Sequence, residues 1–217
     1  MADTKAVLKE TENGLVLTDG KLELSADLSG MQRRVKPENL RRELIVKAVK
    51  IKSMDKMPVV LDATAGFAQD SLLLAAAGCE VMLYEYDPVI AALLRDALER
   101  AKSIPELSEA VGRMHLFEQD SIAAMESLSK APDVIFLDPM FPERQKSALV
   151  KKKFQLLQQL EQPCANEEAL LAAAIKAGPR RIVIKRPVKG PYLAGRKPDY
   201  SLSGKAIRYD CLNFARH

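Results

Sequence analysis

The sequence contains no tryptophan, two histidines and three cysteines, and aromatic residues make up only 5% of its 217 positions. Cys79, Cys164 and Cys211 are widely spaced and form no CxxC pair, so the sequence predicts reduced thiols and no metal site. No apolar run approaches the roughly 18–20 residues that cross a bilayer, and the first residues lack the apolar stretch of a signal peptide. Together these absences predict a cytoplasmic protein that does not enter a membrane.

Basic residues are concentrated in three segments, residues 31–52, 143–153 and 180–197. These segments contain 20 of the 33 lysines and arginines but only 3 of the 29 aspartates and glutamates, which leaves the rest of the chain acidic. Such segregation indicates a surface that binds a polyanion such as a nucleic acid, whereas scattered solvated lysines are the alternative interpretation. The residues that we interpret as RNA contacts are Arg33, Arg34, Lys146, Lys151, Lys152, Lys153, Lys185 and Arg186.

The first part of the chain has the pattern of a small β unit followed by a helix. Two β-prone runs flank Asp19-Gly20, which is a strong hairpin-turn signal. From Pro37 to about Ile51, apolar residues recur near a spacing of 3.6, and this predicts one helix. We therefore predict an N-terminal extension of a hairpin and a helix, residues 1–52, and a larger domain, residues 53–217.

Strands and helices then alternate along the larger domain. Predicted strands cover residues 59–63, 80–84, 114–117, 133–137 and 181–185, and predicted helices cover residues 70–77, 89–102, 122–128, 148–160 and 167–176. This alternation predicts an α/β fold with a doubly wound, mainly parallel sheet of the Rossmann-like kind. Two β-prone runs between Tyr200 and Phe214 predict a terminal hairpin that adds one antiparallel edge strand.

The ends of the predicted strands carry residues suited to a nucleotide-like ligand, which binds at that edge of such a sheet. The loop 62–70 is rich in small residues that allow close approach to the backbone, but Ala68 breaks the GxGxxG pattern and disfavours NAD. Glu85 follows Gly66 by 19 residues, which is a typical spacing for a carboxylate that binds ribose hydroxyls. Asp120 suits either a helix cap or an adenine amino group.

The most informative stretch is Asp138-Pro139-Met140-Phe141-Pro142, directly after the fourth predicted strand. It resembles the [DN]PP[YF] motif of methyltransferases that act on amino groups. The lone pair of a base amine is delocalised into the ring. Hydrogen bonds from the amine to a carboxylate and to a backbone carbonyl localise that lone pair. The prolines fix the loop, and an aromatic ring that stacks on the base contributes about 1–3 kcal/mol. We therefore predict Asp138, Pro139 and Phe141 as catalytic residues that act by positioning and electrostatics.

Three motifs together resemble one family of enzymes. They are Asp62-Ala63-Thr64-Ala65-Gly66, the string DPMFPERQKSALVKK that begins at Asp138, and Val183-Ile184-Lys185-Arg186-Pro187. The family is the bacterial ribosomal RNA small subunit methyltransferase J (RsmJ), and the resemblance covers roughly residues 20–212. It implies a class I methyltransferase fold with S-adenosylmethionine as cofactor. It also implies methyl transfer to the N2 amine of one guanine near the 3′ end of 16S ribosomal RNA, with the small ribosomal subunit as partner.

The resemblance also assigns cofactor contacts by position in these motifs. The first loop of the family usually reads Gly-Leu-Gly-Arg-Asp, and Gln69 stands here in place of the arginine, while Tyr86 replaces a frequent arginine or asparagine. The assigned residues are Gln69, Asp70, Glu85, Tyr86, Asp120, Ser121 and Asp138, to which we add the small residues Ala63 and Gly66 of the first loop.

Two other functions stay open from the sequence alone. The first is a methyltransferase for a DNA base amine or a small molecule, although the basic segments favour a nucleic acid over a small acceptor. The second is a non-catalytic RNA-binding or assembly factor on the same fold. Binding of S-adenosylmethionine and methyl transfer to RNA distinguish these three hypotheses.

Overall fold

The computed structural model describes residues 6–139 and 166–215, and these residues form ten strands and seven α-helices. The strands are β1 (Val7–Thr11), β2 (Gly14–Thr18), β3 (Glu23–Leu24), β4 (Val59–Asp62), β5 (Glu80–Tyr84), β6 (Met114–Phe117), β7 (Val134–Leu137), β8 (Arg181–Pro187), β9 (Tyr200–Ser203) and β10 (Ile207–Asn213). The helices are α1 (Pro37–Leu40), α2 (Leu44–Val49), α3 (Gln69–Ala76), α4 (Pro88–Lys102), α5 (Pro105–Val111), α6 (Ser121–Glu126) and α7 (Glu167–Lys176).

The central sheet has the strand order β6-β5-β4-β7-β8-β10-β9. Strands β6, β5, β4, β7 and β8 pair in parallel, whereas β10 pairs antiparallel with both β8 and β9. The predicted doubly wound, mainly parallel Rossmann-like sheet is therefore confirmed. The chain turns from one direction across the sheet to the other at β4, because β5 and β7 lie on opposite sides of it. Ligands of such folds bind beyond the carboxyl ends of the strands at this point.

The terminal hairpin is present, but its order in the sheet differs from the prediction. The antiparallel strand β10 lies inside the sheet between β8 and β9, and β9 forms the edge. Side chains of β10 from Arg208 to Leu212 are buried, whereas those of β9 are mostly exposed. The largely exposed β9 is better suited to the open edge, where unpaired backbone groups face water.

The prediction of a single helix between Pro37 and Ile51 is wrong. Helix α1 ends at Leu40, and α2 begins at Leu44 after Glu43, whose backbone is extended with ψ of 124°. This break lets the chain change direction while Leu40 and Ile45 both remain buried in one core. Helix α5, which starts with a proline at its first turn, was not predicted. The helix predicted over residues 148–160 lies outside the described residues.

The N-terminal strands form a separate antiparallel sheet in the order β1-β2-β3, of which β1 was not predicted. Helix α4 holds this sheet in place. The backbone N–H of Leu15 donates to Asp96 Oδ2 at 3.1 Å, and Arg100 Nη2 donates to the carbonyl of Ala26 at 2.6 Å. Polar groups of one helix thus fix the position of the first strands.

Two hydrophobic clusters cover the two faces of the central sheet. On one face Val60, Phe136 and Val183 pack with α2, α3, α4 and α5, and on the other Leu61, Ile135 and Ile184 pack with α6 and α7. Buried residues of the N-terminal extension belong to the first cluster; the domain division at residue 52 stays a prediction. Among the described residues, no helix is both long and apolar enough to cross a membrane.

Candidate active site

A cavity of about 410 Å³ opens where β4, β5 and β7 end, next to the turns into α3 and α6. Its volume lies within the range of sites for small molecules and cofactors. The residues that the sequence assigns to the cofactor all line it: Ala63, Gly66, Gln69, Asp70, Glu85, Tyr86, Asp120, Ser121 and Asp138. Their contacts with a cofactor stay a prediction, which this common location supports.

The loop between β4 and α3 is folded around two carboxylates. Glu85 Oε2 accepts a hydrogen bond from the backbone N–H of Gly66 at 3.0 Å, which ties the loop to the end of β5. Gly66 and Ala68 both have a left-handed backbone, with φ of 50° and 52°. This conformation is strained for alanine but not for glycine. The loop therefore keeps a tight shape without the second glycine of a GxGxxG motif.

Asp62 lies under this loop and is buried. Its carboxylate accepts hydrogen bonds from Ser71 Oγ at 2.5 Å and from the backbone N–H of Thr64 at 3.0 Å. Burial raises the pKa of Asp62 to about 7 in spite of these hydrogen bonds, and the nearby negative charges of Asp138 and Asp70 add to the increase. The carboxyl group thus supports the loop from the core side.

Glu85 and Asp120 hold the ends of β5 and β6 through backbone hydrogen bonds. Glu85 is buried, and its Oε1 accepts from the N–H of Asp87 at 2.9 Å. Burial raises the pKa of Glu85, and the N–H groups of Asp87 and Gly66 oppose that increase. Asp120 Oδ1 accepts from the N–H of Ile122 at 2.9 Å and caps α6, so the cap is the role that the structure shows for Asp120.

Asp138 stands at the end of β7 and is held from two directions. Its backbone N–H donates to Thr64 Oγ1 at 2.7 Å, and its Oδ2 accepts from Lys185 Nζ at 2.8 Å. The same ammonium donates to Asp70 Oδ2 at 2.7 Å. Lys185 lines the cavity with both partners, so the structure adds it to the candidate site. From the sequence, Lys185 is predicted to contact RNA, and that contact stays a prediction.

The charges of this trio oppose one another. Burial raises the pKa of Asp138, while the Lys185 ammonium lowers it. Burial alone would lower the pKa of Lys185, but the carboxylates of Asp138 and Asp70 outweigh that effect and raise it. Lys185 is therefore a cation at neutral pH, and among the described residues it is the cation that lowers the pKa of Asp138 most.

The structure changes the predicted role of Arg186. Its side chain is fully buried, its Nε donates to the carbonyl of Pro191 at 3.0 Å, and its Nη1 pairs with Glu167 at 3.3 Å. A phosphate group cannot reach a guanidinium in that position, so the prediction of an RNA contact is wrong for Arg186. Alternation along β8 explains the error, because neighbouring residues of a strand point to opposite faces.

The remaining predicted residues lie in three places. Pro139 is buried and lines the cavity beside Asp138. Arg33 and Arg34 are exposed, and Arg34 donates two hydrogen bonds of 2.9 Å to the carboxylate of Glu43. The predicted residues that lie outside the described residues are Phe141, Lys146, Lys151, Lys152 and Lys153.

The site also contains residues that the sequence analysis missed. Thr64 was quoted only as part of a motif, yet its hydroxyl and N–H connect Asp138 with Asp62. Asp87 caps α4 through the N–H groups of Val89 and Ile90. The sequence held a signal for Asp87, because an aspartate directly before a proline and an apolar helix is a typical N-cap.

Comparisons with known proteins agree with this geometry. The SAM_MT family model, described as SAM-dependent methyltransferase, matches residues 3–213. A solved SAM-dependent methyltransferase from Neisseria gonorrhoeae has a TM-score of 0.78 and 29% identity, and the match covers 98% of this chain and 84% of that one. A solved rRNA methyltransferase from Streptomyces viridochromogenes has a TM-score of 0.51 at 16% identity, with 82% and 85% coverage, and shows the fold alone. The fold and the cavity thus define a SAM-dependent methyltransferase.

Curated relatives then define the family. Ribosomal RNA small subunit methyltransferase J of Thioalkalivibrio sulfidiphilus is 45% identical, over 79% of this chain and 68% of the relative. The protein of the same name from Pseudomonas aeruginosa is 47% identical, over 77% of this chain and 64% of the relative. The chain belongs to the ribosomal RNA small subunit methyltransferase J family, as the resemblance implies. The matches span about two thirds of the length of these relatives.

The residues of the cavity fit S-adenosylmethionine, the cofactor of this family. Each oxygen of the Glu85 carboxylate accepts one backbone hydrogen bond and retains acceptor capacity for ribose hydroxyls. Small residues of the β4–α3 loop, Ala63 and Gly66, leave room at the backbone. Tyr86 presents an exposed aromatic ring at the edge of the cavity.

Proposed function

We propose that this protein transfers a methyl group from S-adenosylmethionine to the N2 amine of one guanine in 16S ribosomal RNA of the small subunit, in the cytoplasm. Membership of the family supports the ribosomal substrate, since two relatives are named for the small subunit RNA. The observation that carries the proposal is the position of Asp138. Its carboxylate lies at the wall of the cofactor cavity, and its backbone is fixed by Thr64.

S-adenosylmethionine, when bound, supplies an electrophilic methyl group. The protein's own part is to hold the acceptor. The carboxylate of Asp138 accepts a hydrogen bond from the exocyclic amine, which localises the nitrogen lone pair. Pro139, which is buried next to it, restricts the backbone of the same turn. Positioning of this kind accounts for large rate increases without a strong general base.

A nucleoside analysis tests this function. Purified protein, S-adenosylmethionine with a labelled methyl group, and 30S particles or free 16S RNA from a strain without the enzyme are incubated together. The RNA is then digested, and its nucleosides are separated by mass. We expect label in N2-methylguanosine from one site. Label in another nucleoside, or transfer to duplex DNA in preference to ribosomal RNA, would contradict the proposal.

Calorimetric titration with S-adenosylmethionine distinguishes the enzyme from a non-catalytic assembly factor. We expect saturable binding that S-adenosylhomocysteine displaces. Absence of binding by the folded protein would favour the assembly factor.

We further propose that Arg33 and Arg34, two exposed arginines that precede α1, hold the RNA backbone. Arg34 lies close enough to Asp70 for the negative charge of Asp70 to raise the pKa of the guanidinium, although the hydrogen bond from Arg34 to Glu43 is the larger cause. The extension therefore borders the cavity on the side of α3. Helix α2, which follows, also packs against α3, β8 and β10. A strand of RNA that enters the cavity from this side would pass Arg33 and Arg34.

The double variant Arg33→Ala, Arg34→Ala tests this RNA surface. Each lost phosphate contact should lower the slope of log affinity against log salt by about 0.7–0.9, and RNA should bind several-fold more weakly. The matched control is Arg95→Ala with Lys102→Ala, two exposed cations on α4. We make the same prediction for neutralisation of Lys151, Lys152 and Lys153. An unchanged salt slope would place the RNA surface elsewhere.

A further inference from the structure

Lys185 occupies a central position between two carboxylates of the site. Lys185 lies on β8 directly after Ile184, which pairs with Leu137 of β7. On the other side of β8, Lys185 itself pairs with Tyr209 of β10. From there Nζ reaches Asp138 Oδ2 at 2.8 Å and Asp70 Oδ2 at 2.7 Å. One ammonium thus connects the end of β7 with the first turn of α3.

We propose that Lys185 is a positioning residue for methyl transfer, whose ammonium keeps the carboxylate of Asp138 ionised and oriented toward the acceptor amine. This inference rests on the proposed function, because it assigns Asp138 to the amine. Asp70 has the complementary role of holding the ammonium from the side of α3, so that Lys185 has one position along the wall of the cavity.

The chemistry of the acceptor requires the ionised form of Asp138. The amine of guanine carries two hydrogens, and the neighbouring ring nitrogen N1 carries one, so this edge of the base needs acceptors. A carboxylate offers only acceptors, whereas a protonated carboxyl group donates one hydrogen. A proton on Asp138 would therefore remove the negative charge and part of the acceptor capacity, which weakens the hold on the amine hydrogens.

The surroundings of Asp138 contain charges of both signs. The titratable groups that act on it or respond to its charge are Lys185 and Arg186 on β8, Asp70 on α3, Asp62 at the end of β4 and Tyr209 on β10. Burial raises the pKa of Asp138 most, and the negative charge of Asp70 raises it further. The positive charges of Lys185 and Arg186 lower this pKa, and Lys185 has the larger effect. Lys185 is also the cation that donates a hydrogen bond to Asp138.

The test compares Lys185→Met with Lys185→Arg. An opposite charge at this distance typically lowers a carboxyl pKa by about 1–3 units. Without that charge, the acid limb of the pH profile of kcat/KM should therefore move to higher pH by about that amount. Arginine keeps the charge, so its acid limb should stay near that of the wild type even if its rate falls. Lys176→Met, an exposed lysine of α7, is the matched control and should change neither.

Carbon-13 NMR of labelled aspartate carboxyl groups gives a second readout that needs neither RNA nor cofactor. We expect the titration of Asp138, assigned with Asp138→Asn, to move to higher pH in Lys185→Met or in the polar alternative Lys185→Gln. In Asp70→Asn it should move to lower pH, because a negative charge has been removed.

The possible outcomes separate the two proposals. This role would be overturned if the Asp138 titration and the acid limb stay in place, or move to lower pH, in a folded neutral variant, Lys185→Met or Lys185→Gln. If the NMR shift occurs but the wild type methylates no guanine, the proposed function fails while the electrostatic role of Lys185 stands.

Discussion

Two sides of the cavity are held together by different interactions. On the side of β5 and β6, which we call the backbone-tied side, Glu85 and Asp120 accept hydrogen bonds from main-chain N–H groups of Gly66, Asp87 and Ile122. On the side of β7 and β8, the charge-tied side, two carboxylates share one ammonium, and the bonds run between side chains.

This difference teaches how one cavity combines a fixed and an adjustable part. Backbone N–H groups do not titrate, and on the backbone-tied side those of Asp87 and Gly66 oppose the increase that burial causes in the pKa of Glu85. The charge-tied side depends on the ionisation of Asp138, and therefore on a single lysine. Cofactor binding should thus depend less on pH than transfer to the acceptor does.

The largest effect is expected at the charge-tied side. Asp138→Ala should reduce methyl transfer by at least about 100-fold, because a group that stabilises the transition state in a cavity is typically worth that much. Binding of S-adenosylhomocysteine should weaken but remain measurable by calorimetry. The control is Asp55→Ala, an exposed aspartate between α2 and β4. Full activity of Asp138→Ala would remove Asp138 from the mechanism.

The next effect tests the backbone-tied side. Glu85→Gln replaces one acceptor oxygen with an amide NH2 group that faces a backbone N–H. This change should weaken binding of S-adenosylhomocysteine by about 10–100-fold, because hydrogen bonds to a charged group are worth about 1.5–3 kcal/mol. The affinity should change little between pH 6 and 8. Glu80→Gln, exposed at the start of the same strand, is the control. An affinity that depends strongly on pH would erase the distinction between the two sides.

A smaller effect concerns Asp62, which supports Thr64 between the two sides. The pKa of Asp62 is about 7 in the folded protein, whereas the ordinary value of an aspartate is 3.8. Folding therefore favours the protonated form of this carboxyl group. Its contribution to stability is present below about pH 4 and is lost as the pH rises to about 7. Asp62→Asn should remove this loss. We expect the variant to gain about 4 kcal/mol relative to the wild type between pH 4 and 8, measured by urea unfolding, because one pKa unit corresponds to about 1.4 kcal/mol. A parallel stability profile for both proteins would contradict the role of burial.

The smallest effect separates strain from burial in the loop. Ala68 and Ala194 both have a left-handed backbone, but Ala68 is buried and Ala194 is exposed. Ala194→Gly should stabilise the protein by about 0.5–1 kcal/mol. In Ala68→Gly the same relief is offset by a lost buried methyl group of about 0.8 kcal/mol, so we expect almost no change in thermal unfolding. A large loss in Ala68→Gly would show that packing dominates there.

Much of the backbone-tied side could be predicted from the sequence. Residues that end parallel strands meet at one edge, so Gly66 and Glu85 were expected on the same side of the sheet. The structure joins them by a hydrogen bond of 3.0 Å, and the ribose contact expected of Glu85 stays a prediction. Strands β5 and β6 have the predicted bounds, Glu80–Tyr84 and Met114–Phe117, because short apolar runs between turn residues define them.

The charge-tied side could not be predicted in the same way. Whether Lys185 or Arg186 faces the cavity depends on the register of β8 against β7, and a shift of one residue exchanges the two. The burial of Arg186 depends on Glu167, which precedes it by 19 residues and belongs to another element. The break between α1 and α2 is likewise a matter of packing, because the local apolar spacing suits one continuous helix.

The most direct test is a structure of the protein with S-adenosylhomocysteine and a short RNA that carries the target guanine. We expect the guanine amine within hydrogen-bonding distance of the Asp138 carboxylate, about 2.7–3.2 Å, with Lys185 still bound to that carboxylate and the cofactor against Glu85. A base held elsewhere, with Asp138 turned away from the amine, would contradict it.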